Sequence, residues 1–215
     1  MSHRSALLSA ARLLSLLSLG ACGGKEGGSG GGGGTASGDS GAADSGGPSA
    51  SVAWFIGTSD GQTADGSYVA PTEEVLFIRS LDPSASTMRE EAWTVAGSGR
   101  VSAYALDHAV DAAAGTFSST FDTGSGVLKV EGVYDAGEPW AWTAWHSRSV
   151  YQDGRYAGGW VDSVDTYDLE GTGEAHAEKG VFDPDGTLTY SIVEHLSPVS
   201  QATLEARLAE LEAGG

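Results

Sequence analysis

The chain has 215 residues and a formal net charge of −18, with 29 acidic against 11 basic side chains. Apolar residues make up 40 % of it, enough for a packed core, which excludes wholesale disorder. The acidic excess argues against nucleic acid as a partner, because affinity for phosphates needs clustered Lys and Arg. One cysteine cannot form an internal disulfide, and no run of about 20 apolar residues is present to span a bilayer.

Residues 1–21 have the pattern of a secretory signal peptide. Arg4 and Arg12 give a positive start, and the apolar stretch Leu13–Leu19 is too short to cross a bilayer. Small residues follow, as they do before a cleavage site. We therefore expect residues 1–21 to be removed.

The stretch Leu19-Gly20-Ala21-Cys22 resembles the lipobox of bacterial lipoproteins. The resemblance implies that the Cys22 thiol receives a diacylglyceryl group, that cleavage occurs before it, and that the new amino terminus is acylated, typically with palmitate. Gly23, which stands where an aspartate would favour inner-membrane retention, implies sorting to the outer membrane. The partner implied is therefore the membrane, reached through the lipid at Cys22, with the protein periplasmic or surface-exposed. The alternative is an ordinary signal peptide, which would leave Cys22 as a free thiol in an oxidising compartment.

Residues 22–50 form a segment of Gly, Ser and small polar residues without an aromatic or large aliphatic side chain. Such a composition predicts a flexible tether, because nothing in it repays the entropy lost on ordering. A Gly-rich coil of this length reaches roughly 30 Å. Removal of the signal peptide leaves 9 basic against 29 acidic side chains, a net charge of −20.

Residues 51–215 are expected to form a single β domain, because their hydrophobic pattern repeats mostly every two residues. Examples are Tyr156–Val164 and Leu188–Ile192, and the apolar run Val75–Ile78 suggests a more fully buried strand. About six strands are expected between Thr116 and Leu196. Earlier strands are expected at Ser51–Gly57, Tyr68–Arg79, Met88–Ala96 and Arg100–Ala109. Short Gly and Asp-Gly turns, such as Gly97-Ser98-Gly99 and Asp183-Pro184-Asp185-Gly186, leave no room for crossover helices and force antiparallel neighbours.

The resulting nine to eleven strands predict an all-β fold, an antiparallel meander closing as an up-and-down barrel. A two-sheet β-sandwich is the alternative. No family is recognised for this domain from its sequence.

The end of the chain changes to a helical period. Leu204, Leu208 and Leu211 follow the spacing of one helix face, and Ser200 offers an N-cap side chain. The pattern predicts a short C-terminal helix over about residues 201–212 that packs on the barrel. A helix that binds a partner is the alternative.

Motifs for metals and cofactors are absent from the sequence. His108, His146, His176 and His195 do not stand in a zinc-binding spacing, so we expect neither a metal nor a cofactor. His176 and Glu178 could share one strand face, and a solvated surface pair explains them. Secondary candidates for calcium are Asp162, Asp165 and Asp168, which a bend or bulge would have to bring together.

Motifs for catalysis are absent as well. The sequence has no nucleophile elbow and no phosphate-binding loop, so no catalytic residue is predicted and a non-enzymatic role is favoured. Paired carboxylates of the glycosidase type stay open, because their separation depends on the fold.

The aromatic side chains Trp140, Trp142, Trp145 and Trp160 are the candidate ligand-binding residues. They either fill the core or line a site for a small apolar or carbohydrate ligand. Three functions follow: a lipid-anchored binding module, a structural or interaction lipoprotein, and a hydrolase. A tryptophan-lined cavity of several hundred Å³, on the order of known ligand sites, would favour the first function and its absence the second, whereas convergent carboxylates in a shaped cleft would favour the third.

Overall fold

A computed structural model describes residues 50–123, 126–134, 144–167 and 173–214. The strands are β1 (Ser51–Thr63), β2 (Glu73–Asp82), β3 (Thr87–Val95), β4 (Val101–Asp111), β5 (Thr116–Asp122), β6 (Val127–Tyr134), β7 (Ala144–Tyr151), β8 (Trp160–Tyr167), β9 (Ala175–Phe182) and β10 (Leu188–Pro198). A 3-10 turn, Gly154–Tyr156, precedes β8, and helix α1 (Gln201–Gly214) follows β10. The predicted lipid site Cys22, the tether, Trp140, Trp142 and Asp168 lie outside the described residues.

The ten strands found in these ranges form one closed antiparallel barrel. Each strand pairs with its successor in the chain, and β1 closes the ring against β10 from Phe55↔Pro198 to Thr63↔Tyr190. The predicted up-and-down barrel is confirmed, and the sandwich is excluded. Closure leaves no sheet edge at the first and last strands, which an open meander would expose.

Two predicted strand boundaries are wrong at the first hairpin. β1 runs on to Thr63 because it pairs with β10 over this length, and the second strand begins at Glu73 rather than Tyr68. Residues after Thr63 turn instead: the Asp65 carboxylate accepts hydrogen bonds from the Thr63 hydroxyl (2.7 Å) and from the Ser67 amide (3.0 Å). An aspartate bonded to nearby backbone and hydroxyl groups favours a turn over an extended strand.

Helix α1 covers the outer face of β1–β3, as predicted. Leu204 is fully buried against Leu76 and Val95, and the Thr203 amide donates to the Ser200 hydroxyl (3.2 Å) as an N-cap. This helix explains the apolar run in β2, whose inward residues face the barrel and whose outward Leu76 lies under the helix. Within the described ranges, no helix has the length and apolar character needed to cross a membrane.

The barrel interior holds two apolar clusters. One contains Met88, Phe117, Leu128 and Trp145, and the other contains Phe55, Val75, Phe77, Ala92, Ala175 and Leu196. The guanidinium of Arg79 lies over the rings of both Trp145 (3.7 Å) and Phe77 (5.2 Å), one from each cluster. Charged side chains therefore separate the two apolar parts of the core.

Candidate functional site

Polar and charged side chains point inward from most strands of the barrel. Because side chains alternate between the two faces of a strand, residues two positions away from each of these also point inward. The inward polar group includes Glu73 and Arg79 from β2, Glu90 from β3, Tyr104 and His108 from β4, Ser163 and Asp165 from β8, Lys179 from β9, and Glu194 from β10. An ionisable group in such a position is costly unless it is paired.

The first interior ion pair joins β2 to β3. Arg79 and Glu90 are cross-strand partners, and the Arg79 Nη2 donates to Glu90 Oε1 at 2.5 Å. Their side chains are only 7 % and 15 % exposed. Burial raises the pKa of Glu90, but the Arg79 charge and the contact with His108 outweigh it and hold that pKa well below its usual range. Glu90 is therefore a carboxylate at neutral pH.

The second interior ion pair joins β9 to β10. Lys179 Nζ donates to Glu194 Oε2 at 2.7 Å. Burial alone would lower the pKa of Lys179, and the negative charge of Glu194 outweighs it, so the pKa is raised. Burial raises the pKa of the nearby Tyr104 phenol, which stays protonated and can act as a hydrogen-bond donor.

Asp165 is a further interior carboxylate, and its surroundings differ from those of Glu90 and Glu194. Ser163 Oγ donates to Asp165 Oδ2 at 2.7 Å, and among the described residues no cation lies within ion-pair distance of it. Burial raises its pKa to about 6, against the opposing effects of Lys179 and the Ser163 hydrogen bond. The interior described here thus has two carboxylates in ion pairs, Glu90 and Glu194, and the hydrogen-bonded Asp165, and Glu73 lines the cavity at the start of β2.

His108 is buried and Ser119 half-buried, and the buried imidazole nitrogens and hydroxyl oxygen of these side chains have no hydrogen-bond partner in the described part of the chain. The His108 side chain is 2 % exposed, and its Nε2 lies 3.5 Å from Glu90 Oε2, an ion-pair distance that is long for a hydrogen bond. Its ring stands edge-on to Phe117 with centroids 5.3 Å apart. Unsatisfied buried polar atoms are uncommon in native proteins and mark places where a water or ligand completes the bonding.

The barrel wall is interrupted beside these residues. Within the continuous range 50–123, β4 and β5 pair over three positions, from Ala109↔Ser118 to Asp111↔Thr116, whereas β3 and β4 pair over nine. His108 and Ser119 occupy the first inward positions after this short ladder ends. The two strands therefore diverge where the unsatisfied polar atoms lie.

The interior charged side chains and His108 line a cavity of about 170 Å³ inside the barrel. Its apolar walls include Val75, Phe77, Phe117, Leu128, Val130 and Ile192, and the loop residues Ala70 and Pro71 border it at one end. This volume is smaller than the several hundred Å³ expected for a tryptophan-lined site. Of the tryptophans that the structure describes, Trp145 alone lines the cavity.

The other sequence-based candidates lie on the outside of the barrel or beyond the described residues. Trp160 stacks on Phe182 on the outer surface, with centroids 5.2 Å apart, and its Nε1 donates to Asp162 Oδ2 at 3.1 Å. Asp162 also receives a two-point hydrogen bond from Arg148 (2.6 and 2.8 Å), so it faces away from Asp165. The described ranges contain no group of three or more His, Cys, Asp or Glu placed to hold a metal ion. Asp162 and Asp165 thus do not converge.

Sequence reasoning missed Arg79, Glu90, His108, Lys179 and Glu194. A usable signal was present, because each lies in a strand where an inward neighbour two positions away is apolar. Examples are Phe77 and Leu81 around Arg79, and Leu106 and Val110 around His108. A charge in the middle of an inward-facing apolar series predicts a buried polar site rather than a solvated face.

Comparisons with known proteins do not identify a family. No family model matches the chain, and no curated protein matches it. Among solved structures, a conserved protein of unknown function with a hot dog fold from Alicyclobacillus acidocaldarius is 10 % identical over 67 % of this chain and 79 % of its own, with a TM-score of 0.21. The dehydratase domain of RzxB from Pseudomonas fluorescens is 10 % identical over 69 % and 77 %, with a TM-score of 0.17. Scores this low carry no argument about fold or function.

Proposed function

We propose that this domain binds a small, partly apolar molecule inside its barrel. The observation that carries the proposal is the interior cavity, whose apolar walls surround charged groups and a buried histidine that lacks hydrogen-bond partners among the described residues. Ligand sites typically combine apolar walls with a few placed polar groups in this way. A solid core does not need buried charged groups, since replacing a buried ion pair by packed apolar residues is often neutral or stabilising.

The cavity volume limits the size of the ligand. An engineered apolar cavity of about 150 Å³ in another protein holds benzene, so a cavity of about 170 Å³ suits one ring or a short branched chain. Long fatty acyl chains and oligosaccharides are too large for it. The ligand class is therefore narrower than the general apolar or carbohydrate class expected from the sequence.

The interior charge limits the chemistry of the ligand. Glu90 and Glu194 are each neutralised by a cation, whereas Asp165 is hydrogen-bonded to Ser163. An anionic ligand would add a further negative charge to a low-dielectric site and be disfavoured. We therefore propose a ligand with an amine or another hydrogen-bond donor, from which the Asp165 carboxylate accepts a hydrogen bond.

The divergence of β4 from β5 suits an entrance to the cavity. Leu106 and Phe121 line the cavity from these two strands, beyond the last paired residues. A ligand entering here passes His108 and Ser119, whose unsatisfied polar atoms could bond it on the way.

Two other functions are kept as alternatives. A structural or interaction lipoprotein would need no ligand, and it would leave the buried polar atoms satisfied by water alone. A hydrolase would need free carboxylates around a substrate, whereas the interior carboxylates Glu90 and Glu194 are held in ion pairs. The geometry favours binding over both.

We further propose that the domain is displayed from a membrane by the lipid at Cys22. The support is the lipobox-like sequence and the flexible composition of residues 23–50. Two or three acyl chains give stable anchoring at about 0.8 kcal/mol per buried methylene. Cys22→Ser should abolish palmitate labelling and membrane partitioning. Persistence of both in that variant would refute the anchor.

Tryptophan fluorescence and calorimetry with matched small molecules test the binding proposal. The panel compares single-ring amines with the corresponding alcohols and carboxylates. We expect amines to bind best and Asp165→Asn to weaken them by 10- to 100-fold, because a hydrogen bond to a charged group contributes about 1.5–3 kcal/mol. Asp162→Asn, which changes an aspartate on the outer surface, is the matched control and should bind as the parent. No binding by any class would favour the structural lipoprotein.

A further inference from the structure

Two histidines face each other on the outer strand faces of β9 and β10, and His176 also borders the cavity. His176 of β9 and His195 of β10 are direct cross-strand partners, and their neighbours Ala175 and Leu196 point inward. The two Nδ1 atoms lie 3.2 Å apart, and the ring centroids are 4.6 Å apart. This pairing depends on strand register, so no spacing in the sequence reveals it.

Glu178 orients one of the two rings. It lies two residues after His176 on the same strand face, and its Oε1 is 3.2 Å from His176 Nε2. The Glu178 carboxylate can only accept a hydrogen bond, so it favours the His176 tautomer with hydrogen on Nε2. The Nδ1 lone pair of His176 is then directed at His195. A carboxylate on the far nitrogen is the usual partner of a metal-binding histidine.

We propose that His176 and His195 chelate a divalent transition-metal ion, such as Zn²⁺ or Cu²⁺, through their Nδ1 atoms. In a tetrahedral zinc site with Zn–N bonds of about 2.0–2.1 Å, two nitrogen ligands are about 3.3 Å apart. The observed Nδ1 separation of 3.2 Å matches this distance, so the rings need to rotate but not to separate in order to direct both lone pairs at one ion. Imidazole nitrogens suit zinc and copper, with copper the tighter of the two.

The site would hold its ion exchangeably. Within the described ranges no third metal-ligating side chain joins the pair, so water would complete the coordination. The His176 side chain is 36 % exposed, which leaves the ion accessible from solvent. A net charge of −18 concentrates cations near the protein surface and favours their capture. Such an arrangement binds and releases an ion, whereas structural zinc sites use four protein ligands.

Titration of the full chain with Zn²⁺ and with Cu²⁺ tests the proposal. Every variant carries Cys22→Ser, so that a thiol cannot compete for the ion. Calorimetry should give one ion per chain, and the Cu²⁺ resonance spectrum should show coupling to two nitrogens. His176→Gln and His195→Gln should each weaken binding at least 10-fold, and Glu178→Gln about 10-fold, the lower end of the usual effect of orienting partners.

His146→Gln is the matched control, because His146 is also exposed on an outer strand face. It should bind both ions as the parent does. Equal losses in His146→Gln and His195→Gln would overturn the proposal, and so would the absence of saturable binding by a folded parent. Circular dichroism of each variant checks the fold.

Discussion

The buried pair of Arg79 and Glu90 makes a sharp prediction about stability. Arg79→Met removes the cation while keeping most of the side-chain volume. Breaking a buried ion pair from one side costs about 3–5 kcal/mol, and the lost contact with the Trp145 ring adds to this. With a urea dependence of about 2 kcal/mol per M, the unfolding midpoint should fall by about 2 M at neutral pH.

The pH dependence separates this mechanism from a simple packing defect. In the parent, Glu90 has a lowered pKa, so its contribution to stability is present above its unfolded pKa and is lost only as pH falls below that value. Without Arg79, burial raises the pKa of Glu90 in the folded state. The variant then binds a proton on folding and regains stability as pH falls from 8 to 5. The gap between parent and Arg79→Met should therefore narrow over this range.

Glu90→Gln is the matched comparison. It leaves Arg79 buried without its carboxylate, and a guanidinium cannot lose its proton in this pH range. The free energy of unfolding that Glu90→Gln loses should be as large at pH 5 as at pH 8. The double variant Arg79→Met/Glu90→Gln should recover most of the stability at both pH values. Urea unfolding followed by tryptophan fluorescence measures all four proteins. A buried ion pair is refuted if Arg79→Met lowers the free energy of unfolding by under 1 kcal/mol, or if this decrease is independent of pH. It is also refuted if the double variant is no more stable than the two single variants.

Three further substitutions, one with a matched control, test other parts of the fold. Asp165 has its pKa raised to about 6, so its stabilising effect is present below the unfolded pKa and lost as pH rises through 6. Asp165→Asn should remove a pH-dependent loss of unfolding free energy of about 2 kcal/mol, seen by comparing urea midpoints at pH 4.5 and 7.5. Gly132→Ala should cost about 1–3 kcal/mol, because an added Cβ would lie 2.1 Å from the buried Phe117 ring, whereas Gly97→Ala, with open space around it, should change stability by under about 0.5 kcal/mol in the same assay. Leu204→Ala should cost about 2–5 kcal/mol in thermal or urea unfolding, since its fully buried side chain fixes the helix to the barrel, and a value near zero would show that the helix is not docked.

The barrel was predictable because its strands and turns are local signals. The turn at Asp183–Gly186 forms where the Asp-Gly pair predicted it, with Gly186 at φ 88°. The helix was predictable for the same reason, since the spacing of Leu204, Leu208 and Leu211 and the cap at Ser200 involve near neighbours in the chain. Local preferences of this kind are set by sterics and hydrogen bonds over a few residues.

The buried charges carried a signal in the sequence, but the pairings within the candidate sites were not predictable, because they depend on strand register. Arg79 meets Glu90 only through the β2–β3 register, and His176 meets His195 only through the β9–β10 register. A shift of one residue in either ladder would move one partner to the opposite face of the sheet. The size of the cavity and the early divergence of β4 from β5 are likewise properties of the assembled barrel.

Closure of the barrel by its first and last strands has a consequence for how the chain folds. The β1–β10 ladder brings together residues from opposite ends of the domain, so its formation loses the entropy of closing the longest loop in the barrel. Until β10 has emerged from synthesis, β1 and β9 each present an open edge that can pair with another chain. Folding should therefore be slow and completed late, and a chain cut before Leu188 should aggregate rather than form a smaller barrel.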